Sequence, residues 1–133
     1  MIGTLLYTAL GTRPHIAFAV TRLSQFNSDP TEEHLRYTKY VLRYLKGTKS
    51  LQICYDGSLN AGLIGYSDSI WSENKDDHHS TLGQVFTLAN GVISWASQPQ
   101  KTVALSVGES EYMELAATGC QCQNLYVIVQ YLG

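Results

Sequence analysis

The sequence predicts an α+β chain in which N-terminal helices are followed by a short antiparallel sheet and a C-terminal helix. Two observations carry that expectation. Apolar residues recur at intervals of three and four up to about residue 50, then alternate in short runs, the change of period expected where helix gives way to strand. Charge changes at the same place. Residues 1–50 hold seven basic side chains against three acids, a net of +4, whereas residues 51–133 hold two against eight, a net of −6. Two domains are expected, a helical one over 1–49 and a mixed one over 50–133.

In the helical part, Pro14 opens a helix with Ile16, Ala19, Val20 and Leu23 on one face. The next helix is expected to start at Asp29, whose carboxylate can accept backbone N–H bonds as N-cap. Pro30 then takes the first helical position and Glu32 reaches back in a capping box. Leu35, Thr38, Leu42 and Leu45 supply its apolar stripe. Gly47 ends it, being free to turn left-handed. There is room for one further helix. In the mixed part, Leu51–Tyr55 and Leu63–Ser67 read as strands. Thr81–Ala89 and Val92–Ala96 flank Asn90-Gly91, a dipeptide suited to the positive φ angles of a tight hairpin. A helix from about Gly108 to Leu132 completes the chain. Glu109 and Glu111 lie where a helix N-terminus favours carboxylates, and Tyr112, Leu115, Ala116, Leu125, Ile128 and Val129 form the expected buried side.

Composition narrows the classes. A hydrophobic fraction of 44% with 15% charged residues suits a folded core and argues against a disordered tail. No stretch approaches the roughly 20 apolar residues of a membrane span, and Met1-Ile2-Gly3-Thr4 lacks the basic start of a signal peptide. An intracellular location, cytoplasmic or nuclear, is the expectation. Cys54, Cys120 and Cys122 are an odd number without scaffold spacing, so no disulfide framework is expected.

Three collinear stretches carry a resemblance to a known family. The first is Gly11-Thr12-Arg13-Pro14-His15-Ile16-Ala17-Phe18-Ala19-Val20, continued by Asp29-Pro30-Thr31-Glu32-Glu33-His34 and Val41-Leu42-Arg43-Tyr44-Leu45-Lys46-Gly47-Thr48. The second is Gly65-Tyr66-Ser67-Asp68-Ser69-Ile70-Trp71. The third runs from Lys101-Thr102-Val103-Ala104-Leu105 through Ser106-Val107-Gly108-Glu109-Ser110-Glu111-Tyr112-Met113. Together they are similar to the end of the reverse transcriptase and the first part of the ribonuclease H domain of copia-type retrotransposon Pol polyproteins.

The resemblance implies a truncated ribonuclease H-like fold over roughly residues 50–133 and a reverse-transcriptase tail before it. It also implies a chemistry, the hydrolysis of RNA in RNA–DNA hybrids with two Mg²⁺ ions held by carboxylates. Hard Mg²⁺ takes oxygen ligands, and a pair about 4 Å apart can activate a water and stabilise a leaving oxygen. Asp68 matches the first family carboxylate. Glu111 matches the second better than Glu109, which points to another side of the helix. Both are expected as catalytic and metal-binding residues. The family's third and fourth carboxylates lie beyond the helix, past Gly133, so the expectation for this chain alone is half a metal site and no hydrolysis. Ile70, Ser72-Glu73-Asn74, His78-His79, Gly108 and Ser110 depart from the family pattern, which suggests a drifting copy.

Other features have structural readings beside functional ones. Arg36, Lys39, Arg43 and Lys46 share one helix face and are candidates for contact with the backbone of an RNA–DNA hybrid or duplex; the same pattern also describes a solvated face. That makes a non-enzymatic nucleic-acid or protein-binding fragment the alternative function, with a remnant without selected role behind it. His78-His79 and Cys120-x-Cys122 lack zinc-site spacing. Trp71 and Trp95 read as packing residues, and Ser106 has no histidine placed to activate it. A sheet cut before its later strands would expose an edge open to self-association.

Overall fold

The computed structural model describes residues 1–57, 62–70, 80–100 and 106–132. The chain divides into two compact units, Met1–Ile53 and Cys54–Gly133. Trp71, Ser72-Glu73-Asn74, His78-His79 and Lys101–Leu105 lie outside the described residues.

The first unit is helical: α1 (Ile2–Gly11), a 3-10 turn (Pro14–Ile16), α2 (Ala17–Ser24) and α3 (Glu32–Gly47). Leu5 and Ala9 of α1, one turn apart, are buried together with Ile16, Ala17, Val20 and Leu23. Pro14 does open a helical segment, but as a single 3-10 turn that passes into α2 at Ala17. That offset carries Ala17 inward and leaves Ala19 exposed. Arg13 ties the two ends of the unit, its guanidinium Nη1 donating to the Thr48 carbonyl at 2.8 Å.

α3 starts later than its sequence signals suggest. Thr31, not Asp29, is the N-cap, with the extended φ of −86° and ψ of 167° that capping requires. Its hydroxyl accepts from the His34 N–H at 3.4 Å while His34 Nδ1 accepts from the Thr31 N–H at 3.1 Å. Two of the N–H groups that a helix start leaves unpaired are thereby satisfied, so Glu32 is not needed for the box. His34 is also held by stacking on Phe26, ring centroids 4.1 Å apart. The face turned to the core runs through His34, Thr38, Val41 and Leu45, which leaves Leu35 and Leu42 beside it, 43% and 41% exposed. At the other end Gly47 is the last helical residue, but it is not left-handed; Thr48 caps with φ −116°.

The second unit holds β1 (Ile64–Ile70), β2 (Thr81–Leu88), β3 (Gly91–Pro99) and α4 (Val107–Leu132). The three strands form an antiparallel sheet in the order β1-β2-β3. Gly65 lies opposite Phe86, Asp68 opposite Gly83 and Gln84 opposite Ala96. The hairpin forms where expected, but its turn is Ala89-Asn90, with φ of +50° and +59°. Gly91 instead begins β3, paired with Leu88. It must be glycine for another reason, since a Cβ there would overlap the Tyr55 ring and the Cys54 carbonyl. Leu51–Tyr55, expected as a strand, has no regular structure. It is held across the hairpin end by side chains, Tyr55 Oη donating to the Val92 carbonyl and Asn90 Nδ2 to Asp56 Oδ2, each at 2.7 Å.

α4 covers one face of the sheet, chiefly over β1. Ser106 caps it, its hydroxyl accepting from the Glu109 N–H at 3.2 Å. The buried residues of its first half are Ser110, Glu114 and Thr118. Of the residues expected on the buried side, Tyr112, Leu115 and Ile128 are 74%, 65% and 51% exposed and Ala116 is exposed too, while Leu125 and Val129 are half-buried. The sheet face explains this reversal. Alternation turns Gly65, Ser67, Ser69, Gln84, Ser94 and Ala96 the same way as Leu82 and Phe86, a mostly small and polar surface that a polar helix stripe meets with hydrogen bonds. Gln100 Nε2 donates to the carbonyl and hydroxyl of Ser110 at 3.0 and 3.1 Å, and Gln121 Nε2 to Ser94 Oγ at 3.0 Å. Phe86, fully buried against Gly65, is the one large apolar side chain among the buried residues of this unit. Among the described residues, no helix is long and apolar enough to cross a membrane.

Candidate functional site

In the sheet unit, β1 places Asp68 between Ser67 and Ser69 on a strand paired on one side only among the described residues, and its side chain is exposed. Glu111 lies in the first turns of α4 and is exposed, as is Glu109. The acid that α4 turns toward β1 is Glu114, three residues beyond Glu111 and about 60° round the helix from it. Only 3% of Glu114 is exposed.

Burial pushes the Glu114 carboxyl above its usual range. The Ser69 hydroxyl and the backbones of Asp68 and Gly83 act against that shift, and the nearby Asp68 charge adds to it. Ser69 is close enough to influence the carboxyl electrostatically without the geometry of a hydrogen bond. Glu114 Oε1 and Ser69 Oγ are both buried without a hydrogen-bond partner, as is Gln100 Oε1. The same end of the sheet and the first turns of α4 therefore hold three unsatisfied oxygens. Each costs roughly 1–3 kcal/mol where no water supplies the missing partner.

This arrangement does not make a complete seat for Mg²⁺. The donors are oxygens, as a hard cation needs, but no group of three metal-ligating side chains comes together among the described residues. Glu114 was not legible as a site residue. Its neighbours at four-residue spacing, Ser110 and Thr118, are polar, and a polar stripe on a helix ordinarily faces water.

In the helical unit, Arg36, Lys39, Arg43 and Lys46 are all exposed on α3. Arg36 is partly neutralised by Glu33, 3.2 Å away. Lys39, Arg43 and Lys46 have no acidic partner among the described residues. Two arginines lie near tyrosine rings, Arg36 5.5 Å from the Tyr37 centroid and Arg43 5.7 Å from that of Tyr40. A groove runs along this face, lined by Arg36, Lys39, Tyr40 and Arg43 and, toward the helix start, by Glu32, Glu33 and Leu35.

Comparison with known proteins decides the family. The chain is 43% identical over all 133 residues to the retrovirus-related Pol polyprotein from transposon RE1 of Arabidopsis thaliana. It is 41% identical over 132 residues to that from transposon TNT 1-94 of Nicotiana tabacum. The chain belongs to the copia-type, retrovirus-related Pol polyproteins of transposons. It spans about a tenth of the length of these Pol relatives, 9% and 10% respectively. A shorter protein is similar too: secreted RxLR effector protein 161 of Plasmopara viticola, 44% identical over 115 residues, which are 86% of this Pol segment and 81% of that protein. Neither a protein-family model nor a solved structure matches the chain.

Proposed function

We propose that this Pol segment joins the end of the reverse transcriptase, residues 1–49, to the start of a ribonuclease H-like domain, residues 50–133. The whole-length collinear similarity to Pol polyproteins is the observation that carries the reading. The division of the chain near residue 53 and the order of an antiparallel sheet followed by a helix support it. In the complete polyprotein the chemistry is hydrolysis of RNA in RNA–DNA hybrids, with Asp68 and Glu111 among the carboxylates that hold two Mg²⁺ ions. No step of that reaction is assigned to the described residues, because they do not bring three acids together.

For the chain by itself, the function is nucleic-acid binding without hydrolysis. Arg36, Lys39, Arg43 and Lys46 place four cations on one exposed helix face, and a polyanion is the complementary partner. The Plasmopara viticola relative, most of whose length is similar to this segment, supports treating it as a unit able to exist without the rest of Pol. The test is binding of the purified chain to a labelled RNA–DNA hybrid at several salt concentrations. Affinity that falls steeply with salt, and is lost in the double variant Lys39→Glu/Arg43→Glu, is the expected result. Binding that ignores both salt and charge reversal would sink the reading.

A further inference from the structure

We propose that the outer face of α3 is a stacking site for unpaired bases, so that it takes single-stranded nucleic acid in preference to a closed duplex. This rests on the nucleic-acid reading above and specifies its ligand.

A phosphate-only surface would need lysines and arginines and nothing else. Here Tyr37 and Tyr40 stand among them, 44% and 49% exposed. Single exposed tyrosines are ordinary on protein surfaces; two adjoining rings interleaved with guanidinium groups match the surface that binds single strands, where aromatic faces take bases and cations take phosphates.

The geometry fits that use. The Tyr37 and Tyr40 centroids are 6.4 Å apart with the rings tilted by 58°. A base held between two parallel rings needs them about 7 Å apart, twice the ~3.4 Å rise of stacked bases. The spacing is therefore already close, and the rings must turn toward parallel to hold a base between them. Arg43 near Tyr40 supplies a second planar cation, of the kind on which bases also stack.

Phosphate contact falls chiefly to Lys39 and Lys46, with Arg43 serving both base and phosphate. Glu33 accepts from both Arg36 and the Tyr37 hydroxyl, at 3.2 and 2.9 Å, so it anchors that ring and spends much of the Arg36 charge. Lys39, Arg43 and Lys46 have no such acid. They follow one another at about 6 and 4.5 Å along the axis, beside the rings. Glu32 and Glu33 close the N-terminal end of the strip to a polyanion. Tyr44, with its ring edge-on to His15 at 5.3 Å, is committed within the unit and is left out of the site. A closed duplex hides its base faces and would meet the phosphate-directed cations alone.

The experiment uses the whole 133-residue chain and two labelled probes of equal length, oligo-dT and a DNA duplex, read by fluorescence anisotropy. The expected result is tighter binding of oligo-dT. Tyr37→Ala/Tyr40→Ala weakens it at least tenfold while duplex binding changes less than about twofold, and Tyr37→Phe/Tyr40→Phe, which keeps the rings, restores it. Circular dichroism confirms that each variant is folded. Tighter binding of the duplex, or equal loss for both probes in the alanine variant, would overturn the stacking site and leave the charge-based reading standing. No binding of either probe by the folded wild type would overturn both.

Discussion

Glu114→Gln is expected to stabilise the sheet unit at neutral pH and to leave it nearly unchanged in acid. The carboxyl is 3% exposed and its Oε1 has no partner, so ionisation there leaves a charge that burial does not compensate. Its folded pKa is raised. The sign follows by linkage. Below the unfolded carboxyl pKa of about 4.3 both states are protonated, and the wild type has its full stability from this group. That stability is lost as pH rises through the higher folded pKa, because the unfolded chain ionises freely while the folded one resists. Glutamine has the same shape, stays neutral, and offers two N–H donors toward the unpartnered Ser69 Oγ. The gain at pH 7 is put at about 1–3 kcal/mol, the cost of an unsatisfied buried polar group. For a unit of this size each kcal/mol moves the melting point by roughly 4–8 °C. Both tryptophans fall in this unit, so intrinsic fluorescence follows its unfolding selectively. Melting curves of both proteins between pH 3.5 and 8 should diverge upward with pH. Curves that stay parallel, or a variant that melts lower at pH 7, would refute the burial of a Glu114 carboxyl with an unpartnered Oε1.

Three other substitutions test the local structure. Gly65→Ala places a Cβ 2.8 Å from the buried Phe86 ring, so urea denaturation should show a loss of about 1–3 kcal/mol, typical of overpacking; an unchanged midpoint would mean that Phe86 is not seated there. Ala89→Gly removes a left-handed alanine worth roughly 1–2 kcal/mol of strain and introduces glycine's chain entropy of about 0.5–1 kcal/mol. A net gain of about 0.5–1 kcal/mol is expected, and a lower melting point would argue for a different turn. Thr31→Ala should cost about 0.5–2 kcal/mol through loss of the α3 cap, read as helical ellipticity on heating, whereas Asp29→Ala should cost far less; the reverse order would return the cap to Asp29.

The sequence was informative where a pattern had one physical cause. Alternation on either side of Asn90 located the hairpin, and the three- and four-residue spacing located α2, α3 and α4. It misled where two causes compete for one pattern. Asp29-Pro30 and Thr31-x-x-His34 are both start signals, and a histidine acting as the acceptor of a capping box is not the usual choice. Asn90-Gly91 invites a turn, but Gly91 answers to the Tyr55 ring. The buried face of α4 was hidden most completely, because its contact surface is the polar side of a sheet whose serines and glycine cannot be recognised as an interface one strand at a time. Glu114 went unseen for the same reason, while Asp68 stood out only through the family resemblance, one residue past the expected strand, and Arg36, Lys39, Arg43 and Lys46 were legible on their helix face.

Binding and hydrolysis can be separated in one sample read twice: an RNA–DNA hybrid, labelled on the RNA strand, mixed with the purified chain and Mg²⁺, with binding followed by anisotropy and cleavage by gel. A hybrid that is bound and uncut is the expected result. The logarithm of affinity should fall against that of salt with a slope between about −2.7 and −3.6, from three to four phosphate contacts at ~0.9 each. Absence of binding, or cleavage that disappears in Asp68→Asn, would contradict it.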